Sequence, residues 1–279
     1  MKLQFETTTG AVAAALGVLA GLVALALTLK PETLSPPPLP QSAPTASPAP
    51  AMPPADAGKL SFFDEFDGTS LDQSKWLDSY PDGVRTHSNN EQQYYATDGY
   101  KLLEGKLVFI AQRRTLAKMP YTSGMVSSYG KFSQKYGRFE IRAKFPKGKG
   151  LWPAFWLLPT SKAWPPEIDI LEILGHDLTC VYFTNHWRAT TAGTVNVQGQ
   201  LRGIDFSAGF HTFTLDWKPD VLVWSVDGIE RYRTREHVPQ EPMYILANLA
   251  VGGNWPGFPD ASTPFPSQME IDYIRVWAL

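Results

Sequence analysis

From Arg138 to Phe145, charged and apolar residues alternate without a break. Arg138, Glu140, Arg142 and Lys144 fall on one side, and Phe139, Ile141, Ala143 and Phe145 on the other. A period of two fits a strand with one wet face and one face in a core, and no helix can sort these residues that way. The same grammar fills the chain after Lys59, where short runs are parted by Gly, Pro, Asn and Asp. Phe213 to Trp217, the turn Lys218-Pro219-Asp220, and Val221 to Val226 predict a hairpin. Asp227-Gly228 predicts a second tight turn into Ile229 to Tyr232, and Met269 to Trp277 reads as a closing strand. No amphipathic helix of convincing length and no repeat of about 20 to 50 residues competes with this pattern. The expectation is an all-β, two-sheet antiparallel sandwich. One domain suffices, since such folds run to about 200–250 residues.

The amino-terminal part is of another kind. From Ala11 to Leu29 the chain has nineteen uncharged, mostly apolar positions, which just reaches the length of a bilayer-spanning helix. Only Lys2 and Glu6 are charged before it, and no small-x-small cleavage site directly follows Leu29. Residues 1–30 are therefore expected to be an uncleaved signal-anchor, with a cleaved signal peptide as the alternative. Residues 31–58 hold ten prolines among Ser, Ala and Thr, a composition that forms an extended, semi-rigid spacer. Either reading places residues 59–279, the folded domain, outside the cytoplasm, membrane-anchored or secreted.

A net charge of −2 with both signs dispersed gives no footprint for nucleic acid. A neutral partner fits better, and a monomer is expected. The lone Cys180 excludes an intramolecular disulfide, and its apolar setting makes it core filler. Nine Trp, eleven Tyr and fifteen Phe exceed what the core needs, so some should line a binding surface.

The chemistry concentrates in Glu167-Ile168-Asp169-Ile170-Leu171-Glu172. Strand parity puts Glu167 and Asp169 on one face and Ile168 and Ile170 on the other. Leu171 would come next on the acidic face, so Glu172 joins the acids only if a β-bulge near Ile170-Leu171 inserts one residue. Three acids on one face repel each other, and no Lys or Arg stands nearby to neutralise them. Glycoside hydrolysis uses this inventory: one carboxylate to attack the anomeric carbon and one carboxylic acid to protonate the leaving oxygen. Glu167 and Glu172 fill these roles, in an order that spacing alone leaves open, with Asp169 between them as a modulator of their proton affinities.

This strand resembles glycoside hydrolase family 16, in its bulged laminarinase-like (endo-β-1,3-glucanase) branch with the pattern Glu-x-Asp-x-x-Glu. Further blocks in family order support the resemblance: Phe63-Asp64-Glu65-Phe66, Asn89-Asn90-Glu91, Tyr136-Gly137-Arg138-Phe139-Glu140, Trp152-Pro153-Ala154-Phe155-Trp156, Asn248 to Gly253 and Ile271 to Val276. The resemblance implies a β-jelly-roll with a substrate cleft on its concave sheet. It also implies retaining, endo-acting hydrolysis of β-1,3 or mixed β-1,3-1,4 glucan without a catalytic cofactor, with Glu167 as nucleophile and Glu172 as acid/base. One departure is plain: Pro165-Pro166 stand where the family has Gly before its first glutamate.

Around the acids, Trp152 and Trp156 share a strand face with the small Ala154 between them, a platform suited to the C–H faces of a pyranose. Both also read as core indoles. Trp255 lies in a Gly/Pro-rich loop, where an exposed aromatic more often binds than packs. Asn89, Asn248 and Gln268 could contact hydroxyls, since amides donate and accept at once. His186 is ordinarily a surface or satisfied core residue, but the resemblance places it in the active site. The resemblance further implies a structural calcium at Glu65, the backbone oxygen of Gly105 and Asp272, positions that read equally as surface carboxylates. Competing readings on the same scaffold are a β-galactan hydrolase, a transglycosylase and a non-catalytic glucan-binding protein. The last lacks the catalytic acids, whereas this chain keeps all three.

Overall fold

The computed structural model describes residues 58–189 and 193–279. The expected anchor, residues 1–30, and the proline-rich spacer, apart from Gly58, lie outside the described residues. No helix among the described residues is long and apolar enough to cross a membrane.

Sixteen strands form among the described residues. They are β1 (Leu60–Asp64), β2 (Gln93–Tyr95), β3 (Tyr100–Leu102), β4 (Leu107–Ala111), β5 (Tyr121–Ser123), β6 (Met125–Ser127), β7 (Gly137–Lys144) and β8 (Leu151–Pro159). Then follow β9 (Glu167–Leu174), β10 (Asp177–Ala189), β11 (Gly193–Arg202), β12 (His211–Lys218), β13 (Val221–Val226), β14 (Ile229–Thr234), β15 (Met243–Val251) and β16 (Ser267–Trp277). One antiparallel sheet runs β14-β13-β12-β7-β16-β4-β3, with β1 also on β16, and a six-stranded sheet runs β11-β10-β9-β8-β15-β6. The predicted sandwich is a two-sheet jelly-roll, and both predicted hairpins form. Asp227 (φ 52°) and Gly228 (φ 76°) take the left-handed conformations that a two-residue turn between twisted strands requires.

The core follows from parity. Phe139, Ile141 and Ala143 of β7, with Trp217 and Trp224 of β12 and β13 in the same sheet, meet Phe155 and Leu157 of β8 and Ile168 and Ile170 of β9 in the facing sheet, all fully buried. Each large apolar side chain so buried contributes about 1.5–3 kcal/mol. The outward face of β7 departs from the expected wet strand: Glu140 and Arg142 are buried. Glu140 accepts hydrogen bonds from Tyr273 (2.9 Å) and Thr214 (3.1 Å), and Arg142 pairs with Asp272 at 2.5 Å. Cross-strand neighbours on a broad sheet cover one another, so alternation predicts polarity better than exposure.

Candidate active site

The register of β9 skips one residue against both neighbours. On β8, Leu171 faces Phe155 and Asp169 faces Trp156; on β10, Glu172 faces Tyr182 and Asp169 faces Thr184. Ile170 is the extra residue, and both Ile170 and Leu171 turn their side chains into the core. Two consecutive inward residues reset the parity, and Glu172 joins Glu167 and Asp169 on the outer face of the six-stranded sheet. All three line a cleft of about 620 Å³.

Donors reach the three acids unequally. Glu167 accepts from the Trp164 indole at 2.7 Å and lies 3.8 Å from His186 Nε2. Asp169, only 2% exposed, has its Oδ2 3.0 Å from the same imidazole nitrogen. Among the described residues, Glu172 has one donor, the Trp152 indole at 3.1 Å. Burial pushes the Glu167 carboxyl up, to about 8, and the Asp169 charge adds to this while His186 and Trp164 pull it back. Burial pushes Glu172 well above the carboxylate range, reinforced by the charges of Asp169 and Glu167, with Glu91 adding a smaller push. For His186, burial opposes the imidazolium, but the Asp169 hydrogen bond and the two carboxylate charges outweigh it and raise its affinity for a proton. The arrangement therefore holds a proton hardest on Glu172 and offers the better supported carboxylate at Glu167, the division of labour that acid-assisted displacement needs.

The remaining expected residues divide. Asn89, Trp152, Trp156, His186, Asn248 and Trp255 all line the cleft. Trp255, 38% exposed, stands edge-on to Trp152 at 5.7 Å and to Tyr182 at 4.8 Å, so three aromatics form one wall beside Glu172. Trp156 and Asn248 differ from expectation: Trp156 donates to Asn248 Oδ1 at 2.7 Å, and Asn248 Nδ2 donates to the Tyr95 hydroxyl at 3.0 Å. Both are nearly buried, so Trp156 is cleft floor rather than an open platform, and Asn248 braces it. Gln268 is corrected outright. It lies on β16 of the other sheet, opposite Ile110 and exposed, because its neighbour Met269 takes the core side.

The calcium expectation is corrected as well. Both oxygens of Glu65 accept from Arg275 at 2.8 Å, and Asp272 is paired with Arg142. Gly105 sits in the β3–β4 turn with φ 69°. Guanidinium groups already hold these carboxylates, and a cation would have to displace them, so the set does not fit Ca²⁺. Among the described residues, the acids and histidines that come close enough to share an ion are Glu167, Asp169 and His186.

Among the residues that escaped sequence reasoning are Gln198, Trp164 and Glu91, which line the cleft, and Tyr182, which joins its aromatic wall through Trp255. Tyr182 and Gln198 were within reach of parity, since they share faces with Thr184 and His186 on the β10–β11 hairpin. Trp164, 53% exposed beside Pro165-Pro166, carried only the cue of an aromatic before the acidic strand. Glu91 is a fourth, buried cleft acid, held by Gln93 at 2.6 Å, and its loop gave no periodicity to read.

Comparison with known proteins agrees with this geometry. The chain is 38% identical over 214 residues to the endo-1,3-1,4-beta-glycanase ExsH of Rhizobium meliloti (strain 1021), covering 71% of this chain and 45% of that protein. It is 35% identical over 248 residues to a beta-glucanase of Rhodothermus marinus, covering 78% and 85%. The chain thus spans less than half of the first relative and most of the second. Its fold superposes on the laminarinase catalytic domain from Thermotoga maritima MSB8 with TM-score 0.70 at 37% identity, over 79% of this chain and 98% of that one. The sequence profile of glycosyl hydrolases family 16 matches residues 84–275, the span that carries the bulged acidic strand and its cleft, and the chain belongs to that family.

Proposed function

We propose that the protein is an endo-acting, retaining hydrolase of β-1,3-linked or mixed β-1,3-1,4 glucan. The observation that carries this reading is the bulge on β9, which turns Glu172 to the face of Glu167 in a cleft walled by aromatics. Glu167 Oε attacks the anomeric carbon while Glu172 gives its proton to the departing glycosidic oxygen, which leaves a glycosyl ester on Glu167. Esterification removes the Glu167 charge, one of the charges that hold the proton on Glu172. Having given up its proton, Glu172 stays a carboxylate and takes a proton from a water that attacks the anomeric carbon, while the sugar–Glu167 ester bond breaks and Glu167 leaves as a carboxylate. Asp169, bridged by His186, holds Glu167 in place and keeps the local potential negative as positive charge develops on the sugar.

The choice of a neutral glucan rests on charge as well as on the activities named for the relatives. The cleft is lined by four acidic side chains and by no Lys or Arg among the described residues. A sulfated galactan would bring anions to a cleft that offers no cationic Lys or Arg to pair with them. Trp152, Tyr182 and Trp255 instead offer apolar faces and edges to a neutral pyranose.

Reducing-end release should be measured on laminarin, lichenan, agarose and carrageenan. Release from laminarin or lichenan, with early fall in chain length, is expected. Release confined to agarose or carrageenan would overturn the substrate, and release of single sugars from chain ends would overturn the endo action. On sequence grounds we also propose an extracytoplasmic monomer with a membrane anchor or signal in residues 1–30 and residues 31–58 as spacer. Mass spectrometry of the intact amino terminus distinguishes the anchor from a cleaved signal.

A further inference from the structure

We propose that Trp224, in the sheet opposite the cleft, is a positioning residue that fixes the bulge and through it the spacing of the cleft carboxylates. Trp224 lies on β13, paired with Leu215 and Tyr232, and is fully buried. It does not line the cleft. Its indole N–H donates to the backbone carbonyl of Asp169 at 2.9 Å.

In a regular strand that carbonyl would lie in the plane of the sheet and point to a neighbouring strand. A partner that reaches it through the core from the facing sheet requires the Asp169 peptide to be turned out of that plane. Asp169 is the last paired residue before the skip, and Ile170 has no partner on β8 or β10. The bulge therefore releases this carbonyl into an apolar core, and Trp224 is the donor that meets it there. The same indole lies 6.4 Å from the ring of Phe183, the β10 residue opposite the extra residue. One side chain thus touches both strands at the irregularity.

The consequence reaches the chemistry. The extra residue can in principle sit at more than one place along β9, and each place gives Asp169 and Glu172 a different separation. The donor at Trp224 selects the Asp169–Ile170 position. Losing it should displace the carboxylates relative to each other without removing any group that touches substrate, an effect on kcat rather than on KM.

This inference rests on Glu167 and Glu172 being the reacting carboxylates, a reading that fails separately if Glu167→Gln and Glu172→Gln keep activity. Trp217 supplies a matched control. It too is fully buried in the eight-stranded sheet and donates to a backbone carbonyl, that of Pro239 at 3.1 Å, outside the catalytic strand. Trp224→Phe and Trp217→Phe should be made in the full chain. Their kcat, KM and pH profiles should be compared on the polysaccharide that the wild type hydrolyses.

For Trp224→Phe, kcat is expected to fall about 10- to 100-fold with KM within about twofold. Glu172 faces the carboxylates of Asp169, Glu167 and Glu91 and the Trp152 indole. Relaxed spacing from Asp169 weakens the repulsion that holds its proton, so the alkaline limb should move to lower pH. Trp217→Phe should lose stability but keep both kcat and pH profile. Unchanged kcat and pH profile in Trp224→Phe, or equal losses in both variants, would overturn the proposal. If Trp224→Phe does not fold, 3-benzothienylalanine at position 224 keeps the ring shape and replaces N–H with sulfur. A fall in kcat there supports the anchor, and wild-type kcat refutes it.

Discussion

The outer faces of the two sheets treat their acids in opposite ways. On the eight-stranded sheet, Asp216 is paired with Arg138, Asp272 with Arg142 and Glu65 with Arg275. On the six-stranded sheet, Glu91, Glu167, Asp169 and Glu172 line one cleft with His186 and His87 as its only basic side chains among the described residues. Acids matched by guanidinium groups serve stability. Burial and the charges crowded beside them raise the proton affinity of Glu167 and Glu172, and that is what bond-breaking can use. The difference lies in what the fold places beside each acid.

The sharpest test of the contrast is to neutralise the cleft glutamates. Glu167→Gln should lower polysaccharide hydrolysis by about 10⁴-fold or more, since it removes the nucleophile. Glu172→Gln should lower it by about 10²–10⁴-fold, and by much less on an aryl glycoside whose leaving group needs no proton. Steady-state rates on the two substrates check both, and equal losses of Glu172→Gln on each would break the assigned division of roles.

Asp169→Asn comes next. The Asp169 charge raises the proton affinity of both glutamates, so its removal should move the alkaline limb of the pH–rate profile to lower pH. A kcat loss of about 10- to 100-fold should accompany it. A limb that stays in place would show that Asp169 does not set the proton affinity of Glu172.

Trp255→Ala should raise KM about fivefold with little change in kcat, because an exposed wall aromatic binds without touching the reacting atoms. A kcat loss with unchanged KM would place Trp255 in the chemistry instead.

The smallest effects concern stability, and the two faces should give opposite signs. Asp216→Asn removes a partner of Arg138 and should lower Tm by about 2–4 °C with kcat intact. Glu172→Gln should raise Tm at neutral and alkaline pH. Its folded-state proton affinity lies above that of the unfolded chain, so the neutral carboxyl is favoured by folding below about pH 4.3. That stability is lost as pH rises through the folded pKa, whereas Gln cannot ionise. The gain should therefore vanish near pH 4, and a gain independent of pH would point to packing rather than charge.

Much of this was legible in the sequence because strands advertise their faces. The bulge could be inferred from Leu171 alone, since an apolar residue stood where an acid's parity was due. The Asp227-Gly228 turn and the inward set of β7 and β8 follow from the same rule. What was not legible lay where periodicity ends. Glu91 and Trp164 come from loops whose paths are set by tertiary contacts, and Glu140 and Arg142 show that outward residues can be buried by their neighbours. Gln268 was misplaced, and the expected calcium acids proved to be paired with arginines, for related reasons. A polar residue near a strand end announces its chemistry but not which sheet will carry it, nor that an arginine from another strand will reach it first.

The central claim is that Glu167 and Glu172 act in two successive displacements at one anomeric carbon. Proton NMR of the first products from a β-glucan that the protein cleaves tests it most directly. The account predicts that new reducing ends appear as the β anomer and only later mutarotate toward equilibrium. New ends that appear first as the α anomer would contradict it.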